Sequence, residues 1–308
     1  MTPPLLGVVG PTASGKTDLA LALARRMPLE ILVADARQVY RGMDVGTAKP
    51  DAAARASVPH HLLDLVDPDE PFTVAHWVAR ARQLIPAIAR RGNLPMIVGG
   101  TGLYVSALID GHDYGGQPSS PELRQRLTDA LETEGLDSLA DRLRSFDPLA
   151  AAAVDMRNPR RVLRALERAE SGGGGAKPRS DPYPGRVALI GVSRPREVLY
   201  RRIDERARHL FAEGLLEEVA LLLEGGHAPE LRPMTGHGYA EAAHHLAGEW
   251  SLEQAIEVTA RRTRQYAKRQ LTWFRRDPRI MWLLAGATPA NEPSLVADAE
   301  RFIRSALA

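Results

Sequence analysis

Short apolar runs alternate with stretches of helical periodicity along this chain. Runs at residues 5–9, 31–34, 62–66, 95–98 and 187–192 are bounded by polar residues or glycine, which is typical of strands buried on both faces. Strands of this kind alternate with helices when the sheet is parallel. The pattern therefore predicts an α/β fold, a parallel sheet flanked by helices.

Apolar residues at steps of three and four predict the long helices. The segment at about 73–91 carries Trp77 and Ile85 on such a stripe, and further helices are expected at about 196–223 and about 252–274. The apolar side of each helix should pack against the sheet or another helix, so Trp77 is expected in the core. The chain beyond the fifth run is expected to be helical.

A change of pattern between the fourth and fifth runs predicts an inserted module. Gly115, Gly116, Pro118 and Pro121 interrupt the chain, several charged helices follow, and a Gly/Pro-rich stretch at 172–185 precedes the fifth run. Because the strand pattern returns at residue 187, the module interrupts the sheet domain. We therefore predict a core at residues 1–115 and 186–308 and a helical insertion at 116–185, with a flexible loop or hinge at the Gly/Pro-rich stretch.

A glycine-rich motif directly follows the first run. Its residues are Gly10, Pro11, Thr12, Ala13, Ser14, Gly15, Lys16 and Thr17, and the spacing G-x-x-x-x-G-K-[ST] is that of a phosphate-binding loop, or P-loop. The glycines let backbone N–H groups turn toward phosphate oxygens, Lys16 adds positive charge, and the Thr17 hydroxyl suits Mg²⁺. Strand, loop and helix follow in the required order. The predicted fold is a P-loop NTPase-like core with an inserted helical domain and a helical C-terminal region.

Composition narrows the class of protein. The 308 residues include no cysteine, so disulfides, thiolate zinc sites and cysteine nucleophiles are excluded, and any metal is expected to be bound by oxygen. Apolar residues make up 44% of the chain, and no apolar run approaches the roughly 20 residues that a bilayer requires. The N-terminus lacks the basic region of a secretion signal, so a cytoplasmic protein without a membrane partner is expected.

Positive charge is concentrated near the C-terminus. The formal net charge is only +2, but the isoelectric point is near 9.0, and residues 261–276 contain several Arg and Lys side chains and no Asp or Glu. On the predicted helix, Arg261, Arg264, Lys268 and Arg275 share one side, with Tyr266 close by. This surface predicts a polyanionic partner larger than one nucleotide.

Asp35 is the candidate catalytic residue. It follows the second run, and ligands of open parallel sheets bind at the carboxyl ends of the strands. Gly99, Gly100, Thr101 and Gly102 follow the fourth run and form a loop that a ligand can approach closely. A P-loop beside a carboxylate fits a small-molecule kinase, a transferase that uses a diphosphate ester, and a nucleic-acid-dependent ATPase. These residues alone leave all three classes open.

A series of segments spread over nearly the whole chain carries a more specific pattern. The segments are the P-loop, residues 34–50 (ADARQVYRGMDVGTAKP), 58–64 (VPHHLLD), 98–104 (VGGTGLY), 158–167 (NPRRVLRALE) and 261–275 (RRTRQYAKRQLTWFR). In this order they resemble the tRNA dimethylallyltransferase family.

The resemblance implies a reaction and a site. A dimethylallyl group would pass from dimethylallyl diphosphate to the exocyclic N6 of the adenosine immediately 3′ of the tRNA anticodon. Asp35 would be the general base, and Thr101 would position the reacting centre. The P-loop residues 10–17 and Arg206 would bind the diphosphate, with Lys16, Thr17 and Mg²⁺ neutralising its charge. The alternative is an adenylate isopentenyltransferase acting on free nucleotide, against which the basic helix argues; a monomer is expected.

The resemblance also implies RNA contacts in three regions. The acceptor base must leave its stack and enter from the side opposite the diphosphate, meeting Asp35, Ala36, Arg37, Gln38 and Thr101. Residues implied to contact RNA elsewhere are Arg124, Arg160, Arg161, Val162, Leu163 and Arg164 in the insertion, and Arg264 and Lys268 on the basic helix, which would hold the anticodon stem.

Two positions depart from the family pattern. Ala36 stands where the family usually has serine, so any hydroxyl contact with RNA is missing, although the Ala36 N–H can still serve. Residues 236–239 (GHGY) include His237 where the family more often has an apolar residue and glycine before Gly-Tyr. For His60 and His61, structural hydrogen bonds are expected rather than catalysis.

Overall fold

A six-stranded parallel sheet forms the core of the protein, seen in a computed structural model that describes residues 2–111, 120–173, 180–287 and 289–307. The strands are β1 (Leu5–Val9), β2 (Leu29–Ala34), β3 (His60–His61), β4 (Leu94–Gly99), β5 (Val187–Ser193) and β6 (Ile280–Leu284). Their order across the sheet is β3-β2-β4-β1-β5-β6, and every pairing is parallel. The predicted parallel α/β sheet is confirmed.

Helices make up most of the remaining regular structure. In chain order they are α1 (Lys16–Ala24), α2 (Ala52–Ser57), α3 (Val74–Arg90), α4 (Gly102–Asp110), α5 (Pro121–Phe146), α6 (Pro148–Ala153), α7 (Pro159–Arg168), α8 (Arg196–Ala212), α9 (Leu215–Glu224), α10 (Tyr239–Leu246), α11 (Leu252–Phe274) and α12 (Pro293–Leu307). A π-helical turn, Ala169–Gly173, follows α7. Across the described residues, no helix combines the length and apolar character that crossing a membrane requires.

Both faces of the sheet are buried, which explains the unbroken apolar runs. Leu5 and Val9 of β1 pack in one hydrophobic cluster, while Leu6 and Val8 pack in another. Alternate side chains of a strand point to opposite faces, so each face has its own core. Trp77 of α3 lies in the first cluster, fully buried as predicted, and its Nε1 donates to a β2 carbonyl.

Helix boundaries follow local backbone chemistry. α3 begins after Thr73, whose side chain accepts a hydrogen bond from the His76 N–H. The single helix predicted at 196–223 is wrong, because Gly214 adopts φ 102° and separates α8 from α9. The helix expected at 252–274 is confirmed as α11.

The two edge strands differ from the prediction. β3 consists of His60–His61 rather than residues 62–66, and Val66 instead forms an isolated bridge with Tyr40. β6 occupies a segment expected to be helical and completes the opposite edge beside β5. Its apolar run is short, and the long helix before it dominates the local pattern.

The chain divides into two compact units. One comprises Met1–Ile109 and Pro182–Ala308 and contains the sheet; the other, which we call the helical unit, comprises Asp110–Asp181. The helical unit has its own hydrophobic cluster, in which Leu139 and Val162 are fully buried. Residues 112–119 and 174–179, where the sequence predicts a boundary and part of a hinge, lie outside the described residues.

Candidate active site

The P-loop connects β1 to α1 in a conformation that requires glycine. Gly10 has φ 141° and Gly15 has φ 98°, and a Cβ on Gly10 would lie 2.4 Å from the Val192 carbonyl oxygen. Gly15 precedes α1 without a side-chain cap, so the first N–H groups of this helix are available to an anion. The loop therefore has the backbone geometry of a phosphate site.

Two arginines from outside the motif hold the P-loop carbonyls. Arg202 Nε donates to the Ala13 carbonyl at 3.0 Å, and Arg194 Nε donates to the Ser14 carbonyl at 2.8 Å. Within the loop, Lys16 Nζ donates to the Pro11 carbonyl at 2.7 Å. Sequence reasoning missed Arg194 and Arg202, since each lies far along the chain from the loop that it supports.

Gln270 of α11 joins the P-loop to the glycine-rich loop after β4. Its Oε1 accepts the Thr12 N–H at 2.8 Å, and its Nε2 donates to the Gly100 carbonyl at 2.8 Å. A Cβ on Gly100 would lie 2.1 Å from that Nε2, so glycine leaves the space that the amide fills. Sequence reasoning missed this role too; the available signal was a lone amide on the apolar side of α11, one turn after Ala267.

Asp35 and Thr101 meet at the carboxyl edge of the sheet. They follow the adjacent strands β2 and β4, and Thr101 donates its N–H to the Ala34 carbonyl at 3.1 Å. Asp35 Oδ1 accepts the Arg37 N–H at 2.9 Å, which fixes the carboxylate against its own backbone. Thr101 Oγ1 accepts the Ala36 N–H at 3.1 Å. The Ala36 N–H, which the sequence offers as a substitute contact for RNA, is therefore bonded within the protein.

Tyr266 of α11 lies beside this pair rather than on the basic side of the helix. Its hydroxyl lies near Thr101, and burial, followed by the negative charge of Asp35, raises its pKa to about 12. The phenol therefore keeps its proton at neutral pH and can act as a hydrogen-bond donor.

Lys16 and Arg206 bring two positive charges to the same place. Burial, followed by repulsion from Arg206, lowers the pKa of Lys16 to about 8, and Asp35 opposes this shift. The pKa of Arg206 is also lowered, first by burial. Cations that lose water and repel each other are stabilised by an anion between them.

Two adjoining cavities share the wall that carries Asp35. The first, of about 410 Å³, is the P-loop cavity, lined by Lys16 and Thr17. The second, of about 230 Å³, is the aromatic cavity, lined by Tyr40, Phe72, Tyr104 and more polar side chains. Residues that line both are Thr12, Asp35, Thr47, Arg206 and Tyr266. The carboxylate can therefore reach a ligand in either cavity.

A second carboxylate shapes the loop at residues 36–50. Glu218 of α9 accepts the N–H groups of Asp44, Val45 and Gly46 at 2.8, 2.6 and 3.1 Å. The buried Lys49 ammonium donates to the Tyr40 carbonyl and to two carboxylates within 2.6 Å. These contacts give residues 44–49 a structural role at the rim of the cavities.

The other base-contacting candidates are held in place. Arg37 Nη1 donates to the Pro233 carbonyl at 2.9 Å, and Gln38 Nε2 donates to the Thr47 carbonyl at 3.0 Å. Arg37 lines the aromatic cavity, whereas Gln38 lines the P-loop cavity. The structure thus brings the P-loop, Asp35, Ala36, Arg37, Gln38, Thr101 and Arg206 together around the two cavities.

The candidates in the helical unit fall into two groups. Arg160 and Arg161 are exposed, whereas Arg124 and Arg164 pair with the buried Glu167 carboxylate at 3.0 and 2.8 Å. Val162 is fully buried in the core of the unit, and its N–H donates to the Asn158 carbonyl. We therefore reassign Val162 from RNA contact to packing; Leu163 packs partly buried against the same core.

The basic side of α11 is only partly free. Arg264 forms an ion pair with Asp204 and lies 6.0 Å from the centre of the Tyr200 ring. Lys268 is exposed, as are Arg261, Arg269, Arg275 and Arg276. The predicted cationic surface thus lies mainly on these five exposed side chains.

The neighbouring histidines have structural partners, as expected. His60 Nδ1 lies 2.8 Å from the Val58 carbonyl oxygen, and His61 Nε2 lies 2.6 Å from Glu30 Oε2. Glu30 also accepts from Arg91, and these bonds lower its pKa to about 2. Both rings are occupied by these structural bonds.

Comparison with known proteins gives a consistent result. Residues 38–277 match the family model described as IPP transferase, and residues 4–63 match the model described as isopentenyl transferase. The chain is 47% identical over 293 residues to a tRNA dimethylallyltransferase of Syntrophobacter fumaroxidans, covering 92% of this chain and 84% of the relative.

Solved structures agree in fold. A full-length tRNA isopentenylpyrophosphate transferase from Bacillus halodurans aligns with a TM-score of 0.74 and 39% identity, covering 99% of this chain and 96% of that one. A eukaryotic dimethylallyltransferase described as acting on tRNA aligns with a TM-score of 0.80 and 26% identity, covering 98% of this chain and 78% of that one.

Proposed function

The chain belongs to the IPP transferase family of tRNA dimethylallyltransferases, and we propose how its own residues carry out the transfer of a prenyl group to tRNA. Dimethylallyl diphosphate places its diphosphate in the P-loop cavity. The adenine amine of tRNA reaches Asp35 from the aromatic cavity. The observation that carries this assignment is the position of Asp35 in the wall shared by the two cavities.

The chemical step follows from this placement. The N6 nitrogen forms a bond to the first carbon of the dimethylallyl group as the bond from that carbon to the diphosphate oxygen breaks. Diphosphate leaves, and Asp35 takes a proton from the nitrogen. Because the backbone bond of the Asp35 carboxylate goes to Oδ1, Oδ2 is the atom assigned to receive the proton.

The leaving group is stabilised by charge and by backbone N–H groups. Lys16, Arg206 and the uncapped start of α1 surround the place where negative charge grows during the reaction. The Thr17 hydroxyl would supply one oxygen ligand to Mg²⁺, an ion that prefers oxygen ligands. When bound, the ion would add positive charge beside the diphosphate.

Thr101 and Tyr266 have positioning roles in this scheme. Thr101 accepts the Ala36 N–H, so it fixes the start of the loop after β2, and it lies near the Tyr266 hydroxyl. A neutral phenol beside Asp35 can donate a hydrogen bond to a ring nitrogen of the acceptor base. Arg37 and Gln38 shape the entrance through their bonds to backbone carbonyls.

The exposed cations form the proposed contact surfaces for the rest of the RNA, one on each unit. On the sheet-containing unit these are Arg261, Lys268, Arg269, Arg275 and Arg276, and on the helical unit they are Arg160 and Arg161. Contacts of this kind bind phosphates without reading sequence and weaken as salt is added.

Replacing Asp35 tests the central assignment. Asp35→Asn keeps an oxygen for the Arg37 N–H but cannot take a proton, so we expect turnover to fall by on the order of a hundredfold while tRNA affinity changes by less than about threefold. The measurement is single-turnover transfer of labelled dimethylallyl diphosphate to an anticodon stem-loop, with a binding titration.

A matched substitution controls for the loss of charge. Asp69 is exposed and lies outside the cavities, so Asp69→Asn should leave turnover unchanged. Normal turnover in Asp35→Asn would mean that Asp35 is not the general base. Label on AMP alone, with none on tRNA, would favour the free-nucleotide alternative.

A further inference from the structure

Two residues that line the aromatic cavity each carry a buried polar atom for which the described residues offer no hydrogen-bond partner. The atoms are His237 Nδ1 and Thr259 Oγ1. Buried polar groups in proteins are nearly always paired, because leaving one unpaired sacrifices its bonds to water without replacement. Two such side chains in the lining of one cavity point to a partner from outside the protein.

Thr259 is the more deeply buried of the two. It lies on α11 with only 1% of its surface exposed. A threonine in a helix commonly bonds the carbonyl four residues earlier, as Thr272 does with Lys268 at 2.9 Å on this same helix. Thr259 does not, although valine would fill the same volume. Packing therefore gives no reason for its hydroxyl.

His237 lies just before α10, with its ring centre 5.4 Å from that of Tyr266. Burial, followed by the positive charges of Arg262, Arg37 and Arg269, lowers its pKa to about 4. The imidazole is therefore neutral at physiological pH and offers one donor and one acceptor nitrogen. It cannot supply a charge, but it can recognise a polar atom.

The chemistry of the two substrates decides which of them these atoms face. A dimethylallyl group has only carbon and hydrogen and can satisfy neither atom. The diphosphate is assigned to the P-loop cavity, whose lining does not include His237 or Thr259. A purine has ring nitrogens at its edge and flat faces that suit the aromatic side chains Tyr40, Phe72 and Tyr104.

We propose that His237 Nδ1 and Thr259 Oγ1 hydrogen bond the edge of the acceptor purine and so help to select it. The inference rests on the proposed function, since it assumes that the aromatic cavity receives the base. In this arrangement Asp35 meets the reacting amine, while His237 and Thr259 recognise ring atoms of the same base. Both are specificity-determining residues rather than participants in the bond-making step.

Stability and binding measurements on single variants test the role of each atom. Thr259→Val removes an unpaired hydroxyl, so the melting temperature should stay the same or rise while the KM for tRNA increases about fivefold to tenfold. The KM for dimethylallyl diphosphate should not change. His237→Leu should behave in the same way toward tRNA, and His237→Asn, which keeps a polar atom near the position of Nδ1, should recover much of the loss.

Matched controls are available at exposed positions. Thr272→Val on α11 and His209→Ala on α8 remove the same side-chain types away from the cavities, and both should leave the tRNA KM unchanged. If Thr259→Val and His237→Leu lower the melting temperature but leave the tRNA KM unchanged, the two atoms are structural and the proposal is wrong. A rise in the donor KM alone would also overturn it.

Substrate analogues identify the partner atom. Anticodon stem-loops are prepared with 1-deaza-, 3-deaza- or 7-deazaadenosine at the acceptor position, each lacking one ring nitrogen. One analogue should react about fivefold to tenfold less efficiently with the wild type but show no further loss with Thr259→Val or His237→Leu, since the shared bond is already absent.

The possible outcomes separate the two proposals. Additive losses for all three analogues would mean that the side chains bond water or the ribose, and would reject recognition of the purine edge. Failure of the wild-type enzyme to modify any stem-loop would instead reject the proposed function.

Discussion

Lys16 lies in an environment that favours the binding of an anion. It is partly buried, it lies close to Arg206, and its pKa is lowered to about 8. A lysine in water keeps its proton far above neutral pH. The lowered pKa therefore means that the charged form of Lys16 is destabilised while the site holds no anion. Binding a diphosphate replaces the lost water with negative charge.

The lowered pKa predicts how donor binding depends on pH. Below pH 8 Lys16 is already protonated, so the KM for dimethylallyl diphosphate should be level between about pH 6.5 and 7.5. Above pH 8 the free enzyme loses this proton, and the diphosphate must bind together with it. The donor KM should then rise by up to about tenfold per pH unit.

A matched variant isolates the contribution of Lys16. Lys16→Arg keeps its charge throughout this range, so its donor KM should not rise with pH, whatever its absolute value. The measurement is steady-state transfer from pH 6.5 to 9 at saturating stem-loop. A level wild-type profile would mean that Lys16 does not contact the diphosphate.

At the scale of elements, α11 organises the site. Thr259, Tyr266 and Gln270 lie on its buried or half-buried side, at the helical spacing that brings side chains to one face. Thr259 lines the aromatic cavity, Tyr266 lies beside Asp35 and Thr101, and Gln270 bonds the P-loop. A single rigid helix therefore sets the relative positions of three parts of the site.

Removing the Gln270 amide should loosen this arrangement. Gln270→Leu leaves the Thr12 N–H and the Gly100 carbonyl without their partner, so the free energy of unfolding should fall by about 2–4 kcal/mol and the donor KM should rise. Chemical denaturation and steady-state kinetics measure the two effects. Gln265→Leu, at an exposed position on the same helix, should change stability by less than about 0.5 kcal/mol. Equal stability of the two variants would contradict a bridging role.

At the scale of the whole molecule, charge is distributed to suit a polyanion. The net charge is only +2, yet α11 and the two residues after it carry five exposed cations. Arg264 belongs to the same helix but is neutralised by Asp204, so a count of basic residues overstates the free charge.

Charge reversal at free cations should weaken RNA binding in a salt-dependent way. The double variant Arg261→Glu with Lys268→Glu should raise the tRNA Kd and reduce the slope of log Kd against log salt by about 1.5, if each side chain contacts one phosphate. The donor KM should stay constant. Arg301→Glu on α12 serves as a control for charge reversal away from α11, since Arg301 is exposed and paired with Asp298, and it should leave the slope unchanged. An unaltered slope in the double variant would place the RNA elsewhere.

Edge strands and helix breaks are the elements that the local sequence pattern predicts least well. The two-residue strand β3 is defined by pairing with β2, and no run of two residues can reveal a partner. α8 and α9 are separated at Gly214. A single glycine in a helical pattern can either be tolerated within one helix or mark the start of a new one, and the sequence alone does not distinguish the two.

The amino-acid sequence determined the P-loop, the parallel sheet and the placement of Asp35 and Thr101 at strand ends, because each depends on residues close together in the chain. Only the tertiary structure decided which distant side chains complete the site: Arg194 and Arg202 on the P-loop carbonyls, Gln270 between two loops, and His237 with Thr259 in the aromatic cavity. Hydrogen bonds and burial at these positions join residues separated by long stretches of chain. Such partnerships exist only once the sheet has brought the elements together.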